Sequence, residues 1–219
     1  MLNNKDYSIT FLNHASFFIE TEDSLLFVDP WFEGFAFDNG WSLLDDSICN
    51  QDIINVINDS SKQIFIWYSH EHSDHLSMSF INSLKDIKAR INIYYQKTLD
   101  KRVKNFFLSK NFNFVECYDG GKNVLGEYIN LYCWSFSSGD SYCLININDI
   151  YILNLNDCVL NDESTSLSVL HSYEKITKNI DILFTQFGYA SWISNKDKSD
   201  IRKKAADEKM DRIAIQNKY

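Results

Sequence analysis

The chain has 219 residues, 45% hydrophobic and 15% aromatic, enough for a sizeable core and too apolar for a disordered polymer. With 21 basic against 30 acidic residues the net charge is −9, and no basic run stands out, which argues against nucleic acid as the main partner. No apolar run approaches the ~18 residues of a membrane span, and the opening MLNNKDYSITFLNH lacks the features of a signal peptide. The expectation is one cytoplasmic domain over residues 1–219.

The first third reads as short strands at residues 8–12, 16–21 and 25–28, joined by polar hairpin turns. Pro30, the only proline, ends the third strand because it has no N–H for a ladder. A loop rich in aromatics follows, from Trp31 to Trp41. The apolar run at residues 64–68 reads as a buried strand. Helical spacing then covers residues 77–87 and 99–108, with a strand at 91–95 between them. Further strands are expected at 113–117, 130–136, 141–146, 150–155 and 181–185. A helix is expected at 164–176, carrying His171 on its surface, and a charged helix at 196–211. Strand clusters interspersed with helices indicate a layered α/β domain with mixed sheets. Five cysteines without CxxC spacing read as reduced, mostly buried thiols.

The chemistry concentrates in Ser69-His70-Glu71-His72-Ser73-Asp74-His75-Leu76-Ser77, directly after the buried strand. Three of the five histidines fall within six positions. In extended backbone His70 and His72 point to one side and Glu71 to the other, while Asp74 and His75 can turn toward a second point nearby. Imidazoles with a carboxylate suit zinc or iron, with a position left for water.

His70, His72, Asp74 and His75 match the HxHxDH signature, and the chain resembles the metallo-β-lactamase superfamily. Phe11 to Ser16 and Val28-Asp29-Pro30-Trp31 fit the same pattern. More closely, Asp29-Pro30-Trp31, Gly40-Trp41, the SHEHSDHLS segment, residues 152–158 and residues 184–191 resemble the metallo-β-lactamase domain of CMP-N-acetylneuraminate hydroxylases and their bacterial relatives. The resemblance implies an αββα sandwich, two mixed sheets with outer helices, and a site at one edge between the sheets. It implies that Asp157 bridges two metals and that Asp29 is a carboxylate behind the histidine ligands, against a plain turn residue at each position. His14 is either a polar residue of the site or a hairpin residue.

Two departures are visible. No histidine precedes the strand at 141–146, where Asp140 is the nearest donor, and none follows His171. The family usually continues with another strand, so a chain ending at Tyr219 reads as truncated or naturally short. A complete set implied by the resemblance has five histidines and two aspartates; three histidines and both aspartates match here, so weak and incomplete metal binding is expected. Zinc is the first choice, iron or manganese the others, as one or two ions. The hydroxylase resemblance also implies a Rieske iron–sulfur domain with Cys and His ligands. No Cys-x-His or Cys-x-x-His occurs, so the chain alone is not expected to hydroxylate.

The leading expectation is a metal-dependent hydrolase acting on an ester, lactone, amide or phosphodiester of a small molecule, such as a sugar nucleotide or an acylated compound. Asp74 would be a ligand that also orients the attacking water. The alternative is a non-hydrolytic metal-binding accessory or sugar-nucleotide-binding module working with a partner. Trp31, Trp41 and Trp192 are candidates for a substrate wall, with core filling as the equal alternative for the loop from Trp31 to Trp41.

Overall fold

The computed structural model describes residues 7–186. The expected helix at 196–211 and the wall candidate Trp192 lie outside the described residues.

Two sheets face each other. The first contains β1 (Ser8–Asn13), β2 (Ser16–Glu20), β3 (Ser24–Val28), β6 (Gln63–Tyr68), β7 (Ile91–Gln96) and β8 (Asn113–Cys117), in that spatial order. The second runs β13 (Ile182–Phe184), β12 (Ile150–Asn154), β11 (Ser141–Ile147), β10 (Ile129–Ser135) and β9 (Lys122–Leu125). Both are mixed: β3, β6, β7 and β8 pair in parallel after an antiparallel β1–β2–β3 meander, and β12 pairs with β13 in parallel.

Alternation along each strand sorts side chains into three apolar layers. Leu26, Val28, Phe65 and Trp67 face inward and meet Leu131, Cys133, Cys143 and Ile145 of the second sheet. Their neighbours Leu25, Phe27, Ile64, Ile66 and Tyr68 face the other way. They pack on α1 (Asn50–Asp59), α2 (Met78–Ser83) and α3 (Arg102–Ser109) through Ile53, Ile57, Phe80, Ile81 and Phe107. The outer face of the second sheet, with Leu144, Leu153 and Leu155, meets Val169 and Tyr173 of α4 (Glu163–Tyr173). The layers are therefore α, β, β, α, as the resemblance implies. Each fully buried Ile or Leu contributes about 1.5–3 kcal/mol through area removed from water. All five cysteines are unpaired and four are buried. No described helix is long and apolar enough to cross a membrane.

Several elements differ from the expectation. α2 ends at Ser83 rather than running to residue 87: turns follow, then a 3₁₀ turn at Lys88–Arg90. α3 starts at Arg102, with Asp100 accepting from the Arg102 N–H before the first turn. α1 was not legible, because in NQDIINVIND only Ile53, Ile54 and Ile57 are buried apolar positions. β9 was also missed. The aromatic loop contains a small hairpin, β4 (Phe35–Ala36) with β5 (Trp41–Ser42), turned by Phe37, Asp38 and Asn39 in left-handed conformation before Gly40.

Candidate metal centre

The HxHxDH loop leaves the buried end of β6, which fixes its starting direction. A turn carries it onward: the N–H groups of His75 and Leu76 both donate to the His72 carbonyl. Ser77 then caps α2 by accepting from the Phe80 N–H. His70, Asp74 and His75 are buried, whereas Glu71 and His72 are exposed.

Three groups of side chains here are close enough to hold a metal ion: His70, His72 and Asp140; His14, Asp74 and His75; and His70, His75 and Asp157. His70 Nε2 lies 2.8 Å from His72 Nδ1 and 3.8 Å from Asp140 Oδ1. Asp74 Oδ2 lies 3.1 Å from His14 Nε2 and 3.5 Å from His75 Nε2. Asp157 Oδ2 stands between the two groups, 3.9 Å from His70 Nε2 and 3.4 Å from His75 Nε2. All five residues expected as ligands therefore converge. Asp140 completes the first group, as its sequence position suggested. His14 joins the second group directly rather than standing behind it.

Asp29 organises these rings from below. It is fully buried, at the end of β3. Its Oδ1 accepts from the Ser69 N–H at 2.8 Å, and its Oδ2 from Ser69 Oγ at 2.7 Å, His75 Nδ1 at 3.1 Å and Asn156 Nδ2 at 2.5 Å. Because His75 Nδ1 donates to a carboxylate, Nε2 carries the lone pair and points at the cluster. Ser69 Oγ spends its proton on Asp29 and so accepts from His70 Nδ1 at 2.9 Å, which turns the His70 lone pair inward as well. One carboxylate thus sets two tautomers. Ser69 and Asn156 were not singled out as site residues from the sequence; a serine before a histidine and an asparagine in a turn carry no distinctive signal. His14, Asp29 and Asn156 all have positive φ, 48°, 42° and 49°, and such backbone strain collects where surrounding contacts hold a functional arrangement.

No protein-family profile matches the chain. Among curated proteins, it is 32% identical over 97 residues to the cytidine monophosphate-N-acetylneuraminic acid hydroxylase of Xenopus laevis, covering 44% of this chain and 16% of that protein. The Mus musculus protein of the same name is 32% identical over 100 residues, covering 42% and 15%. The chain therefore spans about a sixth of the length of these relatives. Among solved structures, CmlA, a diiron beta-hydroxylase from Streptomyces venezuelae, superposes with a TM-score of 0.61 at 14% identity, over 83% of this chain and 34% of CmlA. A possible metal-dependent hydrolase from Veillonella parvula gives 0.59 at 14% identity, over 91% and 80%. These structural likenesses concern the fold. The chain has the metallo-β-lactamase fold.

Within this metallo-β-lactamase fold the electrostatics of the cluster favour a cation. Burial pushes the His70 imidazole down to about 4, helped by the charge on His75. Burial opposes a charge on His75 too, but Asp157, Asp29 and Asp74 around it outweigh that and hold it well above the usual range. Burial likewise opposes ionisation of Asp74; contacts with His14 and His75 reverse this and keep its carboxyl well below the ordinary carboxylate range. Asp140 is pushed up, by burial and by the charge of Asp157. Two buried atoms of these ligand candidates, Asp74 Oδ1 and His75 Nε2, have no hydrogen-bond partner. Unpaired buried polar atoms are costly, and a bound cation would satisfy both.

The aromatic loop divides. Trp31 is a correction to the expected wall: it is 2% exposed. Its Nε1 donates to the Glu33 carbonyl, and His14 and Trp31 meet edge to face at 5.3 Å. The shape of the chain after Asp29, pinned by the Trp31 N–H to Ser16 Oγ, drives the indole inward. Trp41 is 40% exposed and lines a cavity of about 790 Å³ together with His14, Asp74 and Asp157. Phe37 lies edge to face with both Trp41 and His72, and its N–H donates to Ser73 Oγ at 2.9 Å. The β4–β5 hairpin is thereby tied to the histidine loop.

Proposed function

We propose that the chain is a metal-dependent hydrolase with a two-ion centre. One ion would be held by His70, His72 and Asp140, the other by His14, Asp74 and His75, with Asp157 between them. The observation that carries this reading is that seven donor residues form three overlapping groups, each close enough to hold an ion. Four imidazoles and three carboxylates suit zinc, and also iron or manganese. When bound, the ions would supply a water acidified toward neutrality and polarise the bond under attack.

The protein's own part is orientation. Asp74 is held well below the ordinary carboxylate range, so it stays ionised as a ligand and would orient a water held by the ions. In the hydrolysis of an ester, lactone, amide or phosphodiester the water oxygen would bond to the carbonyl carbon or phosphorus as the bond to the leaving oxygen or nitrogen breaks, and the proton the water gives up would pass through solvent to the leaving group. Asp29 fixes His70 and His75 so that neither ring must reorient during turnover. A hydrolase panel of these four bond types, run with zinc, manganese or ferrous iron restored to stripped protein, tests the reading. Turnover of at least one class that is lost in Asp74→Ala supports it. Two bound ions without turnover of any class would reject it.

The second reading is a non-hydrolytic metal-binding module that works with a partner. The replacement of a histidine donor by Asp140 favours it, since an added carboxylate makes a bound water less acidic and the donor set harder. The names of the curated relatives and of CmlA point to oxygen chemistry on this fold. Preferential retention of iron over zinc would turn the balance toward it.

A further inference from the structure

The cavity beside the cluster is built from both sheets. At about 790 Å³ it falls within the roughly 300–1,000 Å³ of sites that enclose small organic molecules. The ligand candidates His14, Asp74 and Asp157 are part of its lining, so it opens onto the centre. With ions bound there, those groups face the metal. Uncharged polar side chains come from Asn154, Asn156, Ser42, Thr185 and Gln186, and the larger apolar ones from Phe11, Phe17, Trp41, Leu44 and Phe184. Phe11 and Trp41 are exposed, and large apolar side chains left in water around one cavity mark a contact surface rather than core.

Among the polar groups, Asn154 has a donor without a partner. It lies two positions after Ile152 on β12 and so shares the face that looks into the layer between the sheets. Its side chain is buried, at 4% exposure. Its Oδ1 accepts from the Asn156 N–H at 3.1 Å. A backbone N–H can only donate, so this contact fixes which end of the amide is oxygen. Among the described residues the Nδ2 end has no hydrogen-bond partner. An unmatched donor in a buried amide is costly, and an acceptor entering the cavity would relieve it. In the parallel register of β12 and β13, Asn154 stands beside Phe184, at a strand spacing of about 4.8 Å. Phe184 stacks on Phe17 of the first sheet, with ring centres 4.4 Å apart and planes 18° from parallel. A hydrogen-bond donor therefore sits next to a flat apolar surface, at the mouth of the metal centre.

We propose that this cavity receives the acyl part of the substrate. An apolar ring or chain lies against Trp41 and the Phe184 ring that Phe17 backs, and the acyl oxygen beside it accepts from Asn154 Nδ2. Asn154 is then a substrate-binding residue, and the substrate class narrows to esters, lactones and amides of apolar acids. The assignment rests on the hydrolase reading for the bond that breaks, but the binding it describes needs no turnover.

The test compares 2-acetonaphthone with 2-isopropylnaphthalene, a hydrocarbon of nearly the same shape without the oxygen. Binding is measured by equilibrium dialysis against full-length protein equilibrated with excess zinc, and elemental analysis gives the zinc held by each variant. Asn154→Asp and Asn154→Ser both keep an acceptor for the Asn156 N–H while removing Nδ2, and the serine adds no charge to the centre. Each should weaken ketone binding about 3-fold or more, the loss of one neutral hydrogen bond, and leave hydrocarbon binding almost unchanged. Trp41→Ala should weaken both probes about 5-fold or more through lost apolar contact. Ketone binding unchanged in the Asn154 variants would overturn the proposal, and equal loss of both probes would reduce Asn154 to a structural role and overturn it too. So would failure of both probes to bind up to their solubility limits, or Trp41→Ala without effect. The expected pattern without turnover in the hydrolase panel would reject the hydrolase reading alone; turnover without the pattern would reject this assignment alone.

Discussion

Replacing Asn156 with alanine removes one of the donors that hold Asp29. Asn156 is 6% exposed and gives its Nδ2 proton to Asp29 Oδ2, itself wholly buried. A hydrogen bond to a carboxylate contributes about 1.5–3 kcal/mol. Alanine must also adopt the φ of 49° found here, a left-handed conformation that costs an ordinary residue about 1–2 kcal/mol and that asparagine tolerates better. Asn156→Ala should therefore lose about 2.5–5 kcal/mol. Asn156→Gly, free of the backbone penalty, should lose about 1.5–3 kcal/mol. Urea denaturation of metal-free protein, followed by far-ultraviolet circular dichroism, reads both as shifts in midpoint at constant slope. Metal must be absent because a bound ion would add its own stabilisation by mass action. A loss under about 0.5 kcal/mol in the alanine variant, or a glycine variant less stable than the alanine one, would refute this account of the hub.

Trp31→Ala should cost about 3–5 kcal/mol because it empties a core position, whereas Trp41→Ala should cost under about 1 kcal/mol; thermal denaturation of the pair checks the division of the aromatic loop. His14→Ala should reduce bound metal from two equivalents toward one while the group with His70, His72 and Asp140 keeps its ion, as read by elemental analysis after dialysis. Burial opposes ionisation of Asp23, but bonds from the Glu127 N–H, Ser24 and Thr21 outweigh it and lower its pKa. The contribution of ionised Asp23 to stability is therefore complete above its unfolded value near 3.8 and is lost as pH falls below that through the folded value. Asp23→Asn should flatten this part of an acid titration followed by fluorescence. Gly126→Ala should be strongly destabilising, since its Cβ would lie 2.0 Å from Ser24 Oγ at a φ of +73°; an unshifted melting temperature would show that this corner relaxes freely.

The histidine motif was legible because its donors are consecutive in sequence and need only one turn to converge. Asp157 was legible through its place after a strand. The position of His14 was not, because it lies 60 residues from Asp74 and meets it only when the β1–β2 turn closes over the loop after β6. Asp140 was visible as a donor but not as a completed contact. Strands with continuous apolar runs, such as β6 and β7, announced themselves. β9, with two apolar residues in Lys-Asn-Val-Leu, and α1, with a mostly polar surface, are stabilised by what they pack on. Trp31 and Trp41 looked alike in sequence and were separated only by the direction the chain takes after Asp29.

The carboxylate of Asp29 joins partners 40, 46 and 127 positions further along the chain. Seen from the ribosome, this makes the cluster a late event. The histidine loop emerges long before Asn156 and Asp157, and for that interval its rings lack both the bridging carboxylate and the last clamp on their support. Long-range closures of this kind form slowly, because chain entropy is lost before the contacts repay it. Metal capture would then coincide with the docking of the second sheet on the first, and the rate at which a refolding chain takes up metal would serve as a clock for that docking.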